Sequence, residues 1–488
     1  MSKNIRLVGI FVLVMFLALF SSATYIQVFQ AQSLAEDGRN RRALLASYEV
    51  QRGPILVDGS PIAMSQPDNS QYQYQRVYTD PELYGTVTGY FSATQGSMGI
   101  EQAMNAELAG TSDSQFFTSL RSMFTGEQPA GAAVELTLNP DGQRIAAEML
   151  GDLKGAVIAI DPATGAILTM YSTPGYDPNN LAMHDDRQVI ENYDKLEADP
   201  DNPLFNRAIG GSLNPPGSTF KLVVATAALE YGIVKPDTKI PNPPTWKLPG
   251  TNHVVNNPSW GQRCGGGDSE TTTLRIALQY SCNIPFAQLA IKIGEDRLRT
   301  VAERFGFNDT FDVPMTSAAS VFPEGPMDDA QLGLTGFGQD NLRTSPLQMA
   351  LVSAGVANNG VLMEPTVVKE VLTPSLDVLE SQRIKEYGRV MSEENAKLMQ
   401  DMMRNNVENG AADNARIDGV AVYGKTGTAE NGDDDPYTLW FTGYAELNGR
   451  QVAVAVVLED GGGMGQSGYG NGLPAETGRE VMKAVLGV

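Results

Sequence analysis

The stretch GAVIAIDPATGAILTMYS, Gly155–Ser172, decides the fold class. Two apolar, β-branched runs, Gly155 to Asp161 and Ala166 to Ser172, flank Pro162-Ala163-Thr164-Gly165, so the segment predicts a β-hairpin. C-terminal to it lies a long, mostly helical middle. Three more strand candidates follow, Val420 to Tyr423, Leu439 to Tyr444 and Val452 to Leu458, and then a helix after Pro474. Strands early, helices in the middle and strands late predict an α+β fold, one mixed sheet covered by helices, occupying residues 151–488. N-terminal to the hairpin, residues 31–150 are rich in Gln, Ser, Tyr and Gly. They carry strand-like runs such as Gln71 to Tyr78 and a turn at Arg52-Gly53-Pro54-Ile55, and predict a smaller β-rich domain. No internal repeat is apparent, and 488 residues suit about three folding units.

Composition excludes several function classes. The chain is 42% apolar and 19% charged, with 57 acidic against 35 basic residues and a net charge of −22. Such a surface repels nucleic acid and anionic lipid. The 2 histidines, His184 and His253, and the 2 cysteines, Cys264 and Cys282, do not form the separate ligand clusters from which a Cys₄ or Cys₂His₂ zinc site is built, and no HExxH helix exists. Proton transfer is therefore expected to run through groups other than histidine.

Lys3 and Arg6 precede an apolar run, and Leu7 to Ala23 reads as a short membrane span. A cleaved signal peptide ending at Ser21-Ser22-Ala23 is the other reading. Apolar character continues through Tyr25, Ile26, Val28 and Phe29, which favours an anchor covering residues 1–30. Arg39, Arg41 and Arg42 beyond the span blunt the positive-inside rule. Either reading puts the remaining chain outside the cytoplasm, where ATP is scarce. Export also makes a Cys264–Cys282 disulfide the expected state, with two free buried thiols the alternative.

Three segments carry chemistry. Pro215-Pro216-Gly217 breaks the chain, and Ser218 to Glu230, STFKLVVATAALE, reads as an apolar helix with Ser218 at its cap or first turn. Lys221, three residues on, shares its face. A serine is a weak nucleophile until a base takes its proton, and a buried lysine with a lowered pKa can do so. An ordinary capping serine followed by a solvent-facing lysine is the plainer reading. A Ser-His-Asp hydrolase would need G-x-S-x-G, and Phe220 stands where its second glycine belongs.

The second segment, Ser281-Cys282-Asn283, sets a hydroxyl and an amide at a junction between two helical runs. In the third, Gly419 to Thr426, GVAVYGKT, matches the phosphate-binding G-x-x-x-x-G-K-[ST] pattern. Its central Val420, Ala421, Val422 and Tyr423 favour a strand, and Glu430-Asn431-Gly432 with three aspartates forms a turn where a helix is required. The better reading is an edge strand, Lys425 to Thr428, whose N–H groups and hydroxyls line a carboxylate site.

Ser-x-x-Lys, Ser-x-Asn and Lys-Thr-Gly in this order resemble the penicillin-recognising serine enzymes. Arg52-Gly53-Pro54-Ile55, Gly99-Ile100-Glu101, Asn206-Arg207-Ala208, Thr344-Ser345-Pro346-Leu347-Gln348 and Trp440-Phe441 extend the resemblance to class B penicillin-binding proteins over nearly the whole chain. The cysteine inside Ser281-Cys282-Asn283 and the KTGTAE segment make it most similar to the actinobacterial penicillin-binding protein A group.

That resemblance implies a membrane-anchored enzyme with a pedestal domain and a transpeptidase domain, an antiparallel sheet flanked by helices as in serine β-lactamases. It implies that Ser218 forms an acyl-enzyme with a peptidoglycan stem peptide, releasing D-Ala, and that a neighbouring stem's amine resolves it. Lys221 would be the general base. Ser281 would relay a proton, Asn283 would hold the substrate amide, and Lys425 would supply positive potential. Thr426 and Thr428, on either side of Gly427, would bind the terminal carboxylate. The Ser218 and Thr428 N–H groups would form the oxyanion hole. β-Lactams would acylate Ser218. No metal or cofactor is implied, and the expected partners are a membrane glycan polymerase and division or elongation proteins. Some positions depart from the family pattern: Asn214 replaces a bulky residue before Pro215, and Asp433-Asp434-Asp435 sets an acidic loop after Lys425. A β-lactam sensor and a β-lactamase are rivals within the fold, and a scaffold acting through residues 31–150 is the rival outside it.

Overall fold

The hairpin of residues 155–172 forms two strands of a five-stranded sheet. Gly155–Ile160 pairs with Ile167–Thr173, and the order across the sheet is Ala421–Ala429, Thr438–Leu447, Arg450–Leu458, Gly155–Ile160, Ile167–Thr173. Every neighbouring pair is antiparallel, so the sheet is the antiparallel one that the family resemblance implies, and the mixed sheet read from strand order alone is corrected. A tight turn joins Thr438–Leu447 to Arg450–Leu458, longer loops join the other consecutive strands, and Arg450–Leu458 lies antiparallel against Gly155–Ile160. The structure is a computed structural model and describes residues 3–30, 48, 50–69, 72–112, 115, 130–259 and 261–488.

Side-chain alternation assigns each sheet face to its own core. Ile158, Ala453, Ala455 and Val457 enter the main core with the helices Lys221–Glu230, Asn283–Ile293 and Pro346–Ala357. Val157, Ala159, Val452, Val454 and Val456 point the other way, onto Pro140–Leu150 and Leu473–Leu486. Both faces are covered, which is why these strands read as continuous apolar runs. Pro346–Ala357 is buried at every position, its Ser345 side chain accepting from Gln348 N as the cap. Ala421–Ala429 has only one strand partner and is the edge expected for the Lys-Thr-Gly segment. It is longer than the Val420 to Tyr423 run anticipated for it, because the pairing with Thr438–Leu447 continues to Ala429 opposite Thr438.

The N-terminal sheet has six strands, Val378–Ser381, Val368–Leu372, Ala133–Leu136, Ile55–Val57, Ser60–Pro67 and Tyr74–Tyr78. Of the expected Gln71 to Tyr78 strand, Tyr74–Tyr78 forms; Gln71 lies outside the described residues, as do Arg39, Arg41 and Arg42. Two of the six strands come from the C-terminal half of the chain. Ile55–Val57 runs parallel to Ala133–Leu136, making this the mixed sheet of the molecule. Arg52 and Glu101, the charged residues of two of the resembling motifs, meet in its interior. Arg52 Nε donates to Glu101 Oε2 at 2.6 Å, Arg76 Nε donates to Glu101 Oε1 at 2.6 Å, and Tyr78 Oη donates to the same oxygen at 3.1 Å. Two arginines on one fully buried carboxylate hold Glu101 below the usual carboxylate range despite its desolvation.

At the N-terminus, the helix Lys3–Thr24 continues as a wider turn over Tyr25–Phe29. Ile5–Phe29 is a 25-residue exposed segment of mean hydropathy 2.4, the one helix among the described residues long and apolar enough to cross a membrane. It exceeds the run from Leu7 to Ala23 because the residues after Ala23 stay helical and apolar.

Candidate active site

The three motif segments converge on the edge strand. Ser218 does not open an α-helix as expected; it sits in a 3₁₀ turn, Gly217–Phe220, ahead of the α-helix Lys221–Glu230. The cause is local. Gly217 turns the chain at φ +52°, and Thr219 Oγ1 donates back to Pro216 O at 2.7 Å, tightening the first turn. In a 3₁₀ turn residues i and i+3 eclipse. Lys221 Nζ therefore stands 2.8 Å from Ser218 Oγ.

The amine of Lys221 is fully buried, and it has two further close partners. It donates to Ser281 O at 2.7 Å and to Asn283 Oδ1 at 2.7 Å. A carbonyl oxygen can only accept. The Asn283 amide is oriented by its Nδ2, which donates to Asn256 O at 2.9 Å, so Oδ1 must face the lysine. Burial first, and the nearby Lys425 cation second, pull the Lys221 pKa well below that of an ordinary lysine. As a neutral amine Lys221 gives its two N–H bonds to Ser281 O and Asn283 Oδ1, which aims the lone pair at the Ser218 hydroxyl. That is the geometry a general base needs.

Lys425, also fully buried, donates from Nζ to Ser281 Oγ at 2.7 Å and to Thr426 O at 2.8 Å. Burial pulls its pKa to about 7. The Ser281 hydroxyl thus lies between the two amines, 3.5 Å from Lys221 Nζ. Ser281 adopts φ +55°, a left-handed conformation uncommon outside glycine, between the helices Leu274–Gln279 and Asn283–Ile293. The next residue, Cys282, is bonded to Cys264 18 residues earlier, with no free thiol among the described residues. The disulfide ties the Ser281 corner to the loop before it.

Thr426 and Thr428 flank Gly427 on the edge strand. Thr426 Oγ1 donates to Ala411 O at 3.1 Å, and Thr428 Oγ1 accepts from Gly470 N at 3.1 Å. Accepting from Gly470 leaves the Thr428 hydroxyl its own proton to donate, whereas Thr426 must exchange its partner to donate to a ligand. Gly427 lies under the nucleophile turn, where a Cβ would fall 2.9 Å from Pro216 O. The first N–H groups of a helical turn lack internal acceptors. Ser218 N–H has that place in its turn, beside the open edge of Ala421–Ala429, an arrangement that can offer two N–H donors to one oxyanion.

The acidic loop is solvated. Asp433, Asp434 and Asp435 are exposed, and it is the loop's backbone carbonyls, at 433 and 435, that accept from Gln466 Nε2. The P-loop pattern is a strand, with Lys425 turned inward to Ser281. His184 bonds Asp68 in the pedestal and His253 is exposed; neither approaches the site.

Some site residues were not foreseen. Asn256 orients Asn283. Gly338 O accepts from Gly217 N at 3.0 Å, and Gly338 itself has φ +84° with no room for a Cβ, which would meet Gly217 O. Gln339, its amide turned to satisfy both groups, donates to Glu430 O at 3.3 Å and accepts from Glu430 N at 3.1 Å, clamping the end of the edge strand. The glycine alone could have been suspected from sequence.

Comparison with known proteins agrees with this geometry. Residues 155–483 match the family model described as penicillin binding protein transpeptidase domain, and 52–134 match penicillin binding protein A dimerisation domain. The chain is 37% identical over 496 aligned residues to the peptidoglycan D,D-transpeptidase PbpA of Mycolicibacterium smegmatis, covering 100% of this chain and 99% of that one. It is 36% identical, with the same coverage, to the PbpA of Mycobacterium tuberculosis. The ceftriaxone acyl-enzyme complex of M. tuberculosis penicillin-binding protein A superposes with a TM-score of 0.86 at 36% identity, over 91% of this chain and 100% of that one. The imipenem acyl-enzyme complex gives a TM-score of 0.84 at 35% identity, over 90% of this chain and 100% of that one.

Proposed function

The chain belongs to the penicillin-binding protein transpeptidase family, and from that premise we infer that it is a peptidoglycan D,D-transpeptidase working through an acyl-enzyme on Ser218. The observation that carries the assignment of the nucleophile is the Lys221 amine, buried, 2.8 Å from Ser218 Oγ, with its other donors taken by acceptor-only oxygens.

The reaction runs in two halves. Ser218 Oγ attacks the penultimate D-Ala carbonyl of a donor stem while Lys221 takes its proton. The Ser218 and Thr428 N–H groups hold the oxyanion as it forms. Ser281, between the two lysines, passes a proton to the leaving amine, the peptide bond breaks, and D-Ala departs. An amine of a neighbouring stem then attacks the ester, loses its proton along the reverse path, and regenerates Ser218 as the new amide forms. Asn283 holds the substrate amide. Thr426 and Thr428 bind the terminal carboxylate, Lys425 supplies positive potential from behind the strand, and Gly427 lets the nucleophile turn lie close. A β-lactam, with a strained amide and a carboxylate in the same relation, acylates Ser218 and stays. These residues require no metal or cofactor.

Residues 1–30 anchor the protein by a single span, with residues 151–488 as the extracytoplasmic transpeptidase domain and 31–150 as the core of a pedestal. An enzyme that makes only peptide cross-links needs a separate source of glycan, so its partners are a membrane glycan polymerase and proteins of division or elongation.

The test is a fluorescent penicillin applied to wild type and Ser218→Ala, with peptide mass mapping and a donor-peptide assay. A stable adduct on the Ser218 peptide, with D-Ala release and cross-linking, is expected. No adduct on folded protein would overturn the reading, and rapid loss of the adduct would reassign the protein to hydrolysis.

A further inference from the structure

We propose that Glu459, acting through Asn214, is a positioning residue for the Ser218 nucleophile. Asn214 immediately precedes the Pro215-Pro216-Gly217 turn that delivers Ser218, and there it replaces the bulky residue of the resembling family. An aromatic side chain would fix this point by packing; a carboxamide must do it by hydrogen bonding.

Asn214 has the partners to do so. Its backbone pairs both ways with Thr344, N to O at 3.1 Å and O from N at 2.8 Å. Its side-chain Nδ2 donates to Glu459 Oε1 at 3.1 Å and to Ser212 O at 3.2 Å, while Oδ1 accepts from Thr438 Oγ1 at 3.5 Å. Glu459 is 9% exposed and lies among cations. Its own N–H donates to Lys154 O at 2.8 Å, and its Oε2 lies 3.6 Å from Lys154 Nζ and 3.8 Å from Arg207 Nε. Arg207, buried in turn, is pinned by Asp201 O and Asn202 O. The carboxylate thus stands between two cations and Asn214, just past the end of the strand Arg450–Leu458.

Two other bonds hold the turn further on, Trp440 Nε1 to Pro215 O at 3.0 Å and Gly217 N to Gly338 O at 3.0 Å. With the entry also held, Pro215, Pro216 and Gly217 cannot rotate as a unit. Ser218 Oγ then stays aligned with Lys221 and with the oxyanion donors. A displacement of about 1 Å at a reacting atom costs on the order of 100-fold in rate.

The inference rests on Ser218 as the nucleophile, so the experiment separates the two. Full-length protein in detergent is reacted with a fluorescent penicillin, and the acylation rate at saturation is resolved from the dissociation constant of the initial complex. The variants are Asn214→Ala, Glu459→Ala, Glu459→Gln and the double alanine, each with its thermal midpoint. Asn214→Ala leaves the Glu459–Lys154–Arg207 group intact, so it remains informative if Glu459→Ala does not fold. We expect roughly 10- to 100-fold slower acylation in either alanine variant with the dissociation constant changed less than about twofold, and a double variant no slower than a single. Glu459→Gln keeps the acceptor for Asn214 and should stay within about threefold of wild type. Unchanged acylation in Asn214→Ala, additive losses, or equal losses in Glu459→Gln and Glu459→Ala would each overturn the proposal. Failure of wild type to acylate at all would instead overturn the functional reading beneath it.

Discussion

Ser281 Oγ lies 2.7 Å from the amine of Lys425, and the same residue's carbonyl lies 2.7 Å from the amine of Lys221. One serine in a left-handed conformation therefore ties two buried lysines into a single hydrogen-bond network, through its carbonyl on one side and its hydroxyl on the other.

Removing the base separates activity from stability. In Lys221→Met the acylation rate by a fluorescent penicillin should fall by roughly 10²–10⁴-fold. The thermal midpoint should change little, since relief of a buried amine is offset by the donors that Ser281 O and Asn283 Oδ1 lose. A rate within tenfold of wild type, measured on folded protein, would reassign the base.

The pH profile should carry the mark of Lys425. Lys221, held well below the ordinary lysine value, must lose its proton to act, so acylation rises with pH through its pKa. Lys425 is needed as a cation, and its pKa of about 7 sets a descending limb near neutrality in acylation per unit concentration. Lys425→Arg cannot deprotonate, so its rate should be lower at the optimum but without that limb. The stability effect has the opposite sense. Between about 7 and 10.5 the unfolded chain binds a proton that folded Lys425 lacks, so this group's contribution to stability rises with pH across that window. Below it, a charged buried lysine persists, and Lys425→Met should raise the thermal midpoint most there.

Opening the disulfide should cost stability and order at the Ser-x-Asn corner together. Cys264→Ser/Cys282→Ser releases a closed loop with a sequence separation of 18. About 3 kcal/mol is expected from loop entropy. Denaturant titration gives that figure, and the acylation rate should fall with it as Ser281 and Asn283 gain freedom. Mass spectrometry without reductant finding both thiols free in wild type would remove the basis for this expectation.

Glu101→Gln tests the pedestal. Leaving Arg52 and Arg76 buried beside a neutral amide should cost about 3–5 kcal/mol. Denaturant unfolding of the purified chain reads this out, and a change under 1 kcal/mol would mean that water or another anion compensates.

How much of this could be read in advance follows from the range of each interaction. Ser218 and Lys221 are three apart, and no long-range contact is needed to bring them together; their spacing was legible. So was the edge position of Lys425 to Thr428, because the turn after Glu430 excludes a helix. The 3₁₀ form of the Ser218 turn was missed, since it depends on one Thr219-to-Pro216 bond. The left-handed Ser281 was also missed, as nothing in a serine announces it. Arg52 and Glu101 were noticed as motif residues, but Arg76 and Tyr78, which complete their network, look like any strand residues. Least legible was the pairing of Val368–Leu372 with Ala133–Leu136, because a strand's sequence does not name its neighbour.

That last pairing has a bearing on how the chain comes to be made. Ile55–Val57, Ser60–Pro67, Tyr74–Tyr78 and Ala133–Leu136 emerge early, but the strand that covers the open side of Ala133–Leu136 is synthesised far later. At roughly 5–20 residues per second that flank waits uncovered for on the order of 10–50 s. A bare strand edge invites wrong partners, and a charge on it discourages them. Glu135 stands in the middle of this one. A ribosome stalled before residue 368, or a gene cut after 150, would deliver a pedestal whose exposed flank never receives its covering strand.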